Sequence, residues 1–145
     1  MRKIAGFIIL ASSFLFSCNY QTVPVQFPDG FLLRARVADT QEKTEKGLMF
    51  VKHLPENEGM LFIFDQEAER FFWMKNTFID LDIFFLSPEG TINQVFDHVP
   101  HTYTYTPTAD IPVVSAQAQY VLETPAGTAK RHQLKPGDKL TFPLL

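Results

Sequence analysis

The sequence predicts a mainly β (β-rich α+β) fold: a single compact, barrel-like antiparallel domain with one or two short helices. Three observations lead there. Between Met60 and Phe96 four short apolar runs are separated by only a few turn-forming residues, the pattern of strands joined in a meander that is closed or strongly curled. From Phe31 to Val37 the residues alternate, with Phe31, Leu33, Ala35 and Val37 on one side and Leu32, Arg34 and Arg36 on the other. That is the period of a half-buried strand. A length of 145 residues, 46% apolar and 20% charged with 15 Phe, suits one globular domain.

Residues 1–17 have the layout of a secretory signal: two cations at Arg2 and Lys3, then an uncharged stretch from Ile4 to Phe16. Its 13 residues fall short of the roughly 20 that a spanning helix needs. Leu15-Phe16-Ser17-Cys18 resembles a bacterial lipobox with Phe at its second position, and Cys18 is the single cysteine of the chain. The expectation is cleavage before Cys18 and its lipidation, which places the protein in the cell envelope as a membrane-anchored, periplasm-facing lipoprotein, the outer membrane being the favoured address. A single thiol also excludes an intramolecular disulfide.

Residues 18–24 read as a polar tether and 25–145 as the folded domain. Asp29-Gly30 after Pro28 is a hairpin signal. Asp39-Thr40-Gln41-Glu42 places Glu three positions after an N-cap residue and Gly47 follows, so Thr40 to Lys46 is expected to be a helix with Gly47 as its left-handed stop. Met60–Phe64, Arg70–Lys75, Leu81–Leu86 and Thr91–Phe96 are the expected strands, divided by Asp65-Gln66-Glu67, Asn76-Thr77 and Pro88-Glu89-Gly90. Asp97 to Gln119, with three Pro and two His, loses this regularity and reads as a long loop, a candidate lid. Tyr120–Thr124 is a further strand, Gly127–His132 a helical turn, Lys135-Pro136-Gly137-Asp138 a tight turn and Leu140–Leu144 a last strand.

The charge excludes one class of partner. The net charge is −3, and removal of Arg2 and Lys3 with the signal leaves 11 basic against 16 acidic residues, or −5. No nucleic-acid partner is expected, and membrane attachment rests on lipid rather than on charge. The chain has no nucleophile elbow and no glycine-rich phosphate loop.

Several words of the sequence carry a family likeness: Gly47-Leu48-Met49-Phe50, Gly59-Met60-Leu61-Phe62, Phe72-Trp73-Met74-Lys75-Asn76-Thr77, Leu81-Asp82-Ile83, and Val121-Leu122-Glu123 followed by Ala126-Gly127-Thr128. In this order and spacing the chain, from Val25 to Phe142, resembles DUF192, also known as UPF0127, a prokaryotic family of unknown function. The resemblance implies a small β-rich, barrel-like domain and no settled activity. It departs at Asp80, where the family usually has Pro, and it fades between His98 and Ala118.

Lys75, Asn76, Asp82 and Glu123 are polar residues set in the most apolar parts of the chain. Buried charges need partners, so the four either share a pocket, with Lys75 and Asn76 donating and Asp82 and Glu123 accepting, or form a network that holds the fold. Trp73 with Phe71, Phe72 and Phe78 gives either an aromatic wall suited to a ligand or simply core. The expected ligand-binding set is therefore Trp73, Lys75, Asn76, Asp82 and Glu123, taking an unknown small ligand or a segment of an envelope protein. A hydrolase using Asp82 or Glu123 with Lys75, and a purely structural envelope role, are the alternatives. The carboxylate pair Asp80 and Asp82 suggests catalysis only weakly, and His98-x-x-His101 with Met49, Met60 and Met74 is a thin case for copper. No catalytic residue, cofactor or metal is assigned, and a monomer is expected.

Overall fold

The computed structural model describes residues 20–143. The expected signal segment 1–17 and Cys18 lie outside the described residues. Six strands form one sheet: β1 (Thr22–Gln26), β2 (Leu32–Ala38), β3 (Glu58–Trp73), β4 (Leu81–Leu86), β5 (Ile92–Val99) and β6 (Val113–Pro125). Their spatial order is β1-β2-β3-β6-β4-β5. Two short helices accompany them, α1 (Gln41–Lys46) and α2 (Thr128–Arg131).

The β-rich class is as expected, and the barrel is corrected to an open sheet. β1 and β5 end the strand order with no ladder between them. They are linked at one end only, where the C-terminal segment bridges Gln26 to Thr141 and Thr91 to Lys139. The sheet is also not wholly antiparallel, because β2 and β3 pair parallel. A parallel pair needs a crossover, and α1 with the turns after it supplies that crossover between Ala38 and Glu58.

Local chemistry explains the elements. The alternation along β2 buries Leu33, Ala35 and Val37 completely while Leu32 stays exposed. The hairpin between β1 and β2 closes with Gly30 N donating to Phe27 O and Phe27 N to Phe31 O. Thr40 caps α1 by accepting from Lys43 N, and Gly47 at φ +47° ends it. Thr22, Val23 and Pro24, expected in the tether, belong to β1.

Two strand boundaries move. Met60–Phe64 and Arg70–Lys75 are one strand, β3, and Asp65-Gln66-Glu67 is an irregularity inside it rather than a turn. Ile63 faces Tyr120 and Ala68 faces Ala118 across β6, so four residues of β3 stand against one of β6. A bulge of this kind absorbs polar residues without reversing the chain. The extension of β3 past the bulge recruits Val113–Ala118 as its partner, which shortens the expected loop 97–119 from both ends. Within the remainder Thr102 is buried, donating from N to Thr77 O and from Oγ1 to Met74 O.

Both faces of the sheet are covered. Leu33, Leu61, Phe84, Leu86 and Leu122 pack on one side with Ala129 of α2. Met60, Phe62, Ile83, Phe85 and Val121 pack on the other with Leu48, which follows α1. Strand β4 and the Tyr120–Thr124 part of β6 beside it therefore read as unbroken buried runs.

Candidate functional site

Glu123 stands in the middle of the sheet, level with Met60 on β3 and Ile83 on β4. Its side chain shares the face of Val121, Phe62 and Ile83, the face that α1 and its following turn cover. The residue is 6% exposed, and its Oε2 has no hydrogen-bond partner among the described residues. Burial without a compensating cation or donor penalises the charged form, and it pushes the Glu123 carboxyl up from 4.5 to about 8. Near neutrality the group is mostly a protonated acid.

The turn after α1 comes down over this acid because residue 47 is glycine. A Cβ there would lie 3.3 Å from Phe62 Cζ and 3.9 Å from Glu123 Oε2, and the backbone φ is +47°. Between that turn and the sheet is a cavity of about 260 Å³ whose lining includes Gly47, Phe62, Phe64, Phe72, Trp73 and Glu123. Phe72 meets Phe62 edge to face at 4.8 Å between centroids. Trp73 is 48% exposed and forms part of the mouth. Glu45 and Lys46 reach the cavity from α1. The result is an apolar, aromatic chamber with one unsatisfied carboxyl in its wall.

Of the five expected site residues, Trp73 and Glu123 share this cavity. Lys75 is exposed, its Nζ 4.8 Å over the Trp73 ring. Asn76 makes the turn, at φ +53°, with its carbonyl accepting from Phe50 N at 2.8 Å. Asp82 stands across from Thr124 on β6, one position out of step with the Ile83–Glu123 pair, so it projects from the opposite face to Glu123. There it is fully buried and accepts from His98 N and from Ala129 N, both at 2.8 Å. A sheet separates the two acids, so Lys75, Asn76, Asp82 and Glu123 do not share one pocket.

The remaining candidates are held elsewhere. Asp80 accepts from His101 N at 2.8 Å and lies 2.6 Å from His101 Nδ1. These bonds to His101, the backbone one foremost, hold the Asp80 carboxyl below its usual range. Its hydrogen-bond donors differ from those of Asp82, so each aspartate is held by its own set. Met60 and Met74 are buried in the core. The long loop supplies none of the cavity lining described, so the lid is not seen.

Phe71 and Phe72 of the expected aromatic wall do line the cavity with Trp73, whereas Gly47, Phe62 and Phe64 are not among the expected site residues. Their signal was present, since Met60, Phe62 and Phe64 follow the two-residue period of the strand beside Glu123. What the sequence did not show was which face of β6 carries Glu123.

The DUF192 family, described as Uncharacterized ACR, matches residues 26–142. The chain belongs to the DUF192 family. Two solved structures are similar to this DUF192 protein. One, from Sinorhizobium meliloti 1021 and described as a candidate transcription regulator, has 29% identity and a TM-score of 0.73 over 85% of this chain and 95% of its own. The other, a protein of unknown function from Novosphingobium aromaticivorans DSM 12444, has 31% identity and a TM-score of 0.71 over 84% of each chain. No curated protein matches. In this member four of the DUF192 words contribute to the cavity: Gly47-Leu48-Met49 forms its roof, Phe62 and Phe72-Trp73 its walls, and Glu123 a buried polar point, while the Leu81-Asp82-Ile83 and Ala126-Gly127-Thr128 words do not line it.

Proposed function

We propose that this DUF192 protein is a lipid-anchored module of the bacterial envelope that binds a small, mainly apolar ligand, or a partner segment, in the Glu123 cavity. One observation carries the binding reading: a buried carboxyl oxygen with no partner faces an aromatic chamber whose mouth is open at Trp73. A fold optimised for stability alone has no use for such an atom, because an unsatisfied buried polar group costs about 1–3 kcal/mol. A ligand that meets Oε2 and fills the chamber removes that cost. The proposed address rests on the signal-like segment and on Cys18. No described helix is long and apolar enough to cross a membrane.

Trp73 is the single tryptophan, so its fluorescence reports on the cavity directly. A panel of apolar fragments, each carrying one polar group, is titrated into the full chain in detergent while emission and melting temperature are followed. The expected outcome is a subset that changes emission and raises the melting temperature, since a ligand of the folded state stabilises it by mass action, with the response lost in Glu123→Gln. A panel without a single responder overturns the binding reading. For the address, Cys18→Ser releases the protein from membranes, and unchanged fractionation refutes the anchor.

A further inference from the structure

We propose that the ligand of the Glu123 cavity is a protonated amine on an apolar body, its N–H groups donating to Glu123 and its carbon body resting against Phe62, Phe64, Phe72 and Trp73. The proposal rests on the binding reading above and names its ligand class.

Two features of the chamber select a cation. The first is Oε2 of Glu123, a buried oxygen without a partner among the described residues; once its proton is given up, the carboxylate only accepts hydrogen bonds. The second is the aromatic wall. Ring faces attract cations within about 6 Å, and the chain already uses two of these rings in that way. Arg70 lies 4.0 Å over Phe64 and Lys75 lies 4.8 Å over Trp73. Lys46 lines the cavity together with Glu45 and Glu123, but an anion has no N–H to offer the Glu123 carboxylate. A neutral alcohol meets Oε2 but uses the rings only as packing surface.

The charged groups around Glu123 are few. α1 brings Glu45 and Lys46 to the cavity, β3 brings the rings with Arg70 and Lys75 lying over two of them, and β4 sets Ile83 opposite. Desolvation is the one cause that raises the Glu123 carboxyl, to about 8, so no neighbouring charge holds it. Binding of an ammonium ion therefore breaks the Glu123 O–H bond. That proton leaves to solvent, and the freed carboxylate accepts from the ammonium N–H. A neutral acid and a monocation become an ion pair and one released proton.

The probes are 2-phenylethylammonium and its neutral counterpart 2-phenylethanol, titrated calorimetrically into the full chain in detergent, in two buffers of different ionisation enthalpy. The ammonium is expected to bind at least about tenfold more tightly than the alcohol and to release about one proton per molecule bound near pH 7. Its dissociation constant should then fall about tenfold per pH unit between roughly pH 6 and 7.5. Glu123→Gln, uncharged and of the same shape, loses the proton release and the pH dependence. Trp73→Leu, at an exposed position, keeps the proton release while binding weakens several-fold. Equal binding of the alcohol without proton release overturns the ammonium assignment. So does silence from both probes when other fragments of the panel bind, and in either case the cavity remains a binding site. Silence from every fragment overturns both readings.

Discussion

The Lys75 ammonium lies 4.8 Å over the Trp73 ring and appears in no salt bridge among the described residues. A cation over an exposed ring contributes about 0.5–1 kcal/mol, whereas a cation that neutralises a buried carboxylate costs about 3–5 kcal/mol when removed. Lys75→Met is therefore expected to lower the stability of the full chain by less than about 1 kcal/mol in denaturant unfolding. A loss near 3 kcal/mol would show that Lys75 holds a buried acid after all. The same comparison explains what was legible at this scale. Polar residues inside apolar runs were found by composition alone, and Asp82 and Glu123 are indeed buried. Their separation was not legible, because the face of a residue follows from register, and a shift of one residue exchanges the faces.

Helix α2 is four residues long, too short to persist by itself in water. Its attachment comes from side chains rather than propensity. Asp82 accepts from Ala129 N, and Thr128 Oγ1 donates to Pro125 O at 2.6 Å. Asp82 also accepts from His98 N, at φ +50°, and so ties the end of β5 to the start of α2. Hydrogen bonds to a charged group contribute about 1.5–3 kcal/mol each, and a buried donor left alone carries its own penalty. Asp82→Ala should thus cost on the order of 3 kcal/mol or more and raise amide exchange first at residues 126–134. Unchanged exchange there would show that Asp82 does not anchor α2. The sequence marked this helical turn correctly through Gly127, which has φ +88°. It misplaced the middle of β3 because an acidic tripeptide looks alike in a turn and in a bulge, and only the partner strand distinguishes them.

At the scale of the whole molecule, an open sheet covered on both faces puts its central strands in the driest place available, and Glu123 is on one of them. Folding stability must then depend on pH in a particular direction. The folded carboxyl titrates at about 8 against an ordinary 4.5. Below the lower value both states are protonated and the stability is fully present. Between the two, the unfolded chain releases the proton and the folded chain keeps it, so the folded state binds more protons and stability falls as pH rises. The slope is about 1.4 kcal/mol per unit, and the loss levels off above the folded value. Lowered acids, among them Asp39, Glu58 and Asp80, act oppositely, these three through their bonds to Lys43, Arg34 and His101. Their stabilisation is lost only as pH falls through their depressed values, below the Glu123 window, so the two effects separate along the pH axis. The full chain should lose about 3 kcal/mol between roughly pH 4.5 and 7 relative to Glu123→Gln, measured as unfolding midpoints of both proteins across that range. Parallel curves would show that Glu123 is ionised in the folded state and finds a partner in solution. A diverging pair would mean that the fold carries, near neutrality, a cost that grows with pH and that a bound ammonium ion is suited to remove.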